Sequence, residues 1–80
     1  MKREDLIAEL TNVFRNVFNQ GDLVLKDEMT ADDVDGWDSL NHINLIVAVE
    51  EHFKIRLVTR EVRGLKNVGD LIALIEKKAS

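Results

Sequence analysis

Residues 36–53 read Gly36-Trp37-Asp38-Ser39-Leu40-Asn41-His42-Ile43-Asn44-Leu45-Ile46-Val47-Ala48-Val49-Glu50-Glu51-His52-Phe53. The spacing predicts a helix over 39–53. Leu40, Ile43, Ile46, Val47 and Phe53 fall on one helical face, and Leu45, Ala48 and Val49 widen it. Asp38 is the N-cap candidate, because its short carboxylate can accept a first-turn amide that has no partner within the helix. Ser39 then becomes the first helical residue. This segment is the most apolar helix of the chain, so it is expected nearest the centre, with Leu40 and Phe53 counted as core.

Upstream, residues 22–38 read as a long connection rich in Asp and containing Gly36, pinned to the core by Leu23, Val24 and Leu25. A connection of this length in a small domain is often functional. Before it, Leu6, Ile7, Leu10, Val13, Phe14, Val17 and Phe18 repeat at helical period, with Glu4 and Asp5 in the first turn and Gly21 as the stop. Downstream, Ile55, Leu57 and Val62 anchor a short segment, and Thr59 is expected to cap a brief third helix running to about Gly64. The last helix opens at Asn67 with Asp70 three residues on, like a capping box with Asp in place of Glu. Val68, Leu71, Ile72 and Ile75 form its stripe, and Lys77 and Lys78 suit its carboxyl end. No segment reads as a strand. The expected fold is all-α: a four-helix bundle in one domain over 1–80, with three longer helices and a short third (about 3–20, 39–53, 59–64 and 68–79) and a long loop between the first two.

The chain has 80 residues, 45% hydrophobic and 32% charged, with no cysteine and no proline. That balance belongs to a folded chain rather than a disordered one. Disulfides and thiolate metal sites are excluded. So small a chain has few ways to build a deep, water-excluding pocket. No unbroken apolar stretch exceeds five residues, the length of 45–49, too short to span a membrane. The amino terminus shows no apolar run of a signal peptide, so a cytoplasmic location is expected.

The net charge of −4 hides an asymmetry: residues 27–53 hold eight acids and no Lys or Arg, while residues 54–80 hold seven bases against three acids. An acidic middle repels nucleic acid and attracts basic protein surfaces.

Three chemistries compete in the central stretch. Reading Asp33-Val34-Asp35-Gly36 as a calcium loop puts Ala31 and His42 where acidic ligands belong, so that match fails. Ser39 and His42, three apart on a helix, form a nucleophile–base pair on paper, but no third group orients the histidine and G-x-S-x-G is absent. His52 reads as a solvated helix-end residue. A serine in a first helical turn sits beside free amides and the positive dipole end, where a phosphate on its hydroxyl is best tolerated.

Asp38-Ser39-Leu40, followed by Ile43, Leu45, Ala48, Glu50, Glu51 and Phe53 and later by Asn67-Val68-Gly69-Asp70-Leu71, resembles the signature of acyl carrier proteins. The likeness runs over about residues 3 to 79. It implies that Ser39 carries 4′-phosphopantetheine, installed from coenzyme A by a phosphopantetheinyl transferase. The arm's thiol would hold acyl groups as thioesters for fatty-acid, polyketide or related pathways, with no catalysis by the carrier itself. It also implies that acyl-loading, elongating or transferring enzymes dock on the second helix, at Asp38, Leu40, Asn41, Asn44, Val47, Glu50 and Glu51. Carriers of this kind can shelter an acyl chain in the bundle; Leu45, Ile46, Val49, Ile55, Leu57, Val62 and Leu71 are lining candidates or plain core. A monomer is expected, without nucleic acid, resident metal or membrane insertion.

Asn41 and Asn44 depart from the acids usual in fatty-acid carriers, Trp37 from their commonest pattern, and the basic run Lys54, Arg56, Arg60, Arg63 and Lys66 from their acidic third helix. A specialised carrier is favoured. The basic run either pairs with the acidic loop or meets a distinctive partner. The remaining alternatives are an aminoacyl or peptidyl carrier, a helical interaction domain with Ser39 unmodified, and a small hydrolase using Ser39 and His42.

Overall fold

A computed structural model describes residues 2–79. Four α-helices carry the fold: α1 (Arg3–Phe18), α2 (Ser39–Phe53), the short α3 (Thr59–Arg63) and α4 (Val68–Ala79). The described residues contain no strand. None of the helices is long and apolar enough to cross a membrane. Leu6, Leu10 and Phe14 of α1, Leu45 and Val49 of α2, and Val68, Ile72 and Ile75 of α4 are fully buried against one another. This all-helical bundle has the element order expected from the sequence.

The helix ends differ in detail. α1 stops before Gly21, because Asn19 takes the left-handed conformation (φ 55°, ψ 44°) and returns its amide to the Arg15 carbonyl. Asn tolerates that region better than most residues. Val58, not Thr59, is the cap position of α3, and its amide donates to the Glu61 carboxylate at 3.2 Å. At α4, Asn67 Oδ1 accepts from the Asp70 amide at 2.8 Å, whereas the Asp70 carboxylate accepts from Lys66, one residue earlier than a regular capping box.

The face of α2 is the main correction. Its core side is Leu45, Ile46 and Val49, while Leu40, Ile43 and Val47 are 68%, 61% and 46% exposed. Phe53 is half-buried. A helix that is apolar on nearly every side has no single stripe, so periodicity alone does not say which stripe meets α1.

The 19–38 connection is also anchored differently. Val24 is exposed and Leu23 and Leu25 are half-buried, whereas Met29 and Val34 are buried in the core. A 3₁₀ turn at Ala31–Asp33 is capped by Thr30. The carbonyls of Met29 and Asp27 accept the amides of Val68 and Gly69, each at 2.8 Å. The loop therefore satisfies two first-turn donors of α4. Glycine eases the approach there: a Cβ on residue 69 would come within 3.1 Å of the Asp27 carbonyl oxygen, and the loop would have to give by a few tenths of an ångström.

Arg3 pairs with both Asp27 and Glu76, His52 with Glu9, and Lys78 with Glu61. No ion pair among the described residues joins Lys54, Arg56, Arg60, Arg63 or Lys66 to the acidic loop.

Phe14→Ala is expected to cost about 3–5 kcal/mol and Leu45→Ala about 2–5 kcal/mol, both by cavity formation. Leu40→Ala should stay within about 0.5 kcal/mol of wild type, as exposed positions do. Urea unfolding checks the contrast. The hydrogen bond from Lys78 holds the Glu61 carboxyl below its ordinary value of 4.5, against the opposing pull of partial desolvation. Its contribution to stability is therefore complete above that value and is lost as the pH falls through the lowered one. The stability difference between wild type and Glu61→Gln, followed by thermal melting, should shrink on acidification below 4.5.

Candidate functional site

The turn that feeds α2 is held from several sides. Gly36 adopts φ 84°, a conformation that favours glycine, and its carbonyl accepts from the Asp38 amide at 2.9 Å. The Asp38 carboxylate accepts the Asn41 amide at 2.8 Å, so it is the N-cap of α2. The Asn41 side chain reaches back to donate to the Gly36 carbonyl at 2.6 Å. Between them, Trp37 inserts its indole beside α1. The ring meets Phe14 edge-on at 5.4 Å between centroids and lies 5.8 Å from Phe18.

The indole lies nearly parallel to the His42 ring (17° between planes, centroids 6.1 Å apart), and Trp37 Nε1 donates to His42 Nδ1 at 3.0 Å. Indole N–H is only a donor, so Nδ1 must be the acceptor nitrogen of a neutral ring and Nε2 carries the proton.

Ser39 is the first residue of α2 and is exposed. Its hydroxyl has no hydrogen-bond partner among the described residues. The backbone amides of Ser39 and Leu40 are likewise unused there. With Ala31, Trp37, Asp38 and His42 it lines an open hollow of about 410 Å³. The positive end of the α2 dipole adds to the local preference for negative charge. A Ser39–His42 catalytic pair gains no support: the His42 nitrogen that accepts is engaged by Trp37, and the two side chains share no hydrogen bond. Among the described residues no cluster of His, Asp and Glu could hold a metal.

The expected docking residues divide into two groups. Leu40, Asn44, Val47 and Glu51 are exposed along α2. Asp38 and Asn41 are occupied by the turn, and the half-buried Glu50 turns its carboxylate to the Leu57 amide at 2.9 Å. Ile43 and Val58 extend the exposed apolar strip. Ile43 stands at i+3 from Leu40 and four before Val47, a spacing that marks a second stripe on the helix.

A groove of about 230 Å³ runs between α2 and α3, lined by His42, Ile43, Ile46, Val47, Leu57, Thr59, Val62 and Arg63. Of the seven lining candidates, only Ile46, Leu57 and Val62 reach it. Leu45 and Val49 are fully buried core. Leu71 borders a separate cleft of about 90 Å³ with Ala31, Trp37, His42 and Leu65. The role of Thr59 and Arg63 in the groove was not readable from spacing, because it depends on how α3 folds back beside α2.

Comparison with known proteins places this geometry. No protein-family model matches the chain. The chain is 32% identical to an acyl carrier protein of Rhodococcus erythropolis, over 94% of its own length and 82% of that protein's. It is 29% identical to the meromycolate extension acyl carrier protein of Mycolicibacterium smegmatis, over 94% and 76% of the two chains. A solution structure of a holo acyl carrier protein from Geobacter metallireducens superposes with a TM-score of 0.85 at 50% identity, covering 90% of this chain and 83% of that one. The chain belongs to the acyl carrier protein family. It is a carrier rather than an enzyme, and its cofactor is covalently attached 4′-phosphopantetheine, whose thiol holds acyl groups as thioesters.

Asp38→Ala should cost about 0.5–2 kcal/mol through loss of the cap. Chemical denaturation followed by circular dichroism checks it, and an unchanged midpoint would mean that the cap contributes nothing.

Proposed function

We propose that Ser39 is the attachment residue and that the chain serves a specialised acyl pathway in the cytoplasm. The observation that carries the first half is the unengaged, exposed hydroxyl of Ser39 at the start of a 15-residue helix. The hollow beside it leaves room for an arm to leave the surface. The donor set suits a phosphodiester: free amides, the helix dipole and a neutral imidazole N–H all favour an anion. On modification, Ser39 Oγ forms a bond to the β-phosphorus of coenzyme A as the pyrophosphate linkage breaks. Adenosine 3′,5′-bisphosphate departs and the hydroxyl proton passes to a base of the transferase.

The exposed strip of Leu40, Ile43 and Val47 beside Asn44 and Glu51 is the docking face for the transferase and the acyl-handling enzymes. Uncharged Asn41 and Asn44 and the unpaired basic run support a specialised rather than a housekeeping role. Each exposed charge pair missing from such an interface is worth about 0.2–1 kcal/mol, enough in combination to separate partner sets.

Intact mass after incubation with coenzyme A and a promiscuous phosphopantetheinyl transferase tests this reading. Wild type should gain one phosphopantetheine, and Ser39→Ala none while keeping its helical signal. A folded wild type that gains nothing would refute the assignment.

A further inference from the structure

His42 lies on the border of three spaces: the hollow beside Ser39, the cleft against Leu65 and Leu71, and the groove between α2 and α3. Its ring is held by Trp37, which is itself fixed by Phe14 and Phe18. Because the indole N–H occupies Nδ1, the protonated Nε2 is the nitrogen left for other partners. No other residue donates to or accepts from the His42 side chain among the described residues.

Resting on Ser39 as the attachment residue, we infer that His42 is a positioning residue for the arm: its Nε2–H donates to the phosphodiester formed on Ser39 and sets the direction in which the arm leaves the helix. Three residues separate Ser39 from His42, which puts the two side chains on one helical face. The modified serine brings a negative charge next to Asp38, already an anion in the same hollow. Backbone amides offset part of that repulsion; of the two ring N–H donors lining the hollow, the Trp37 indole is committed to His42, which leaves the imidazole Nε2–H for the phosphate. Trp37 thus acts on the arm through His42, by selecting the tautomer that presents a donor.

The charged groups around His42 come from three elements. Asp38 stands at the start of its own helix, Arg63 reaches the groove from α3, and Lys66 borders the cleft from the connection before α4. α1 contributes aromatic rings through Trp37 and no charge.

The test compares the unmodified and modified full chain by nuclear magnetic resonance, after intact mass has established that the arm is attached. The chain's two histidines make the comparison internal, since His52 is paired with Glu9 away from the site. In the modified protein, the His42 ring nitrogen signals should move while those of His52 stay. The phosphorus resonance of the modified protein should move in His42→Phe, which removes the donor. His42→Gln keeps a donor, so its modified form should hold the phosphorus resonance nearer the wild-type position than His42→Phe does. Trp37→Phe should convert the single His42 tautomer of the unmodified chain into a mixture. Superposable His42 signals with and without the arm, or a phosphorus resonance unmoved in His42→Phe, would overturn the inference while leaving Ser39 as the attachment residue. Failure to gain the arm would overturn both.

Discussion

The contact on which the site depends is the indole of Trp37 set against Phe14 and Phe18 of α1. Aromatic pairs in this geometry contribute about 0.5–1.5 kcal/mol beyond the area they bury. Here the contact also fixes a position. With Trp37 held, Gly36 can make its positive-φ turn, Asp38 falls where it caps α2, and Ser39 becomes the first helical residue. The same ring also reaches His42. One side chain therefore links the core to the serine-bearing turn.

The acidic connection that delivers Trp37 is stabilised by pairing rather than by its own propensity. Its Asp27 and Met29 carbonyls take up amides at the start of α4, and Met29 and Val34 enter the core. Arg3 ties Asp27 to the other end of α4 through Glu76. Gly69 eases the close approach that these bonds need. The other acids of the loop remain in solvent, where they cost little. The family's carrier role fits this division of labour: a fixed scaffold bears a covalent arm that does the moving.

Much of this was legible in the residues. The stripes of α1 and α4, the capping roles of Asp38 and Asn67 and the start of α2 at Ser39 follow from spacing and side-chain chemistry that act locally. The misreadings share a different cause. Leu40, Ile43 and Val47 are as apolar as Leu45 and Val49, and only packing against α1 decides which set is buried. Met29 and Val34 sit among acids with no periodic pattern around them. Glu50 reads as a surface acid until the chain folds back and offers the Leu57 amide. The Trp37–His42 hydrogen bond joins residues five apart across a turn and a helix start, so neither helical nor strand spacing announces it.

Tandem mass spectrometry of peptides from the coenzyme A-treated protein tests the central claim most directly, because five hydroxyl residues compete for the arm: Thr11, Thr30, Ser39, Thr59 and Ser80. Thr11 already donates its hydroxyl to the Ile7 carbonyl, and Thr30 is committed to capping the 3₁₀ turn. The account predicts phosphopantetheine on the peptide containing Ser39, with fragment ions bracketing that residue alone. Fragment ions that place it on any of the other four would contradict it.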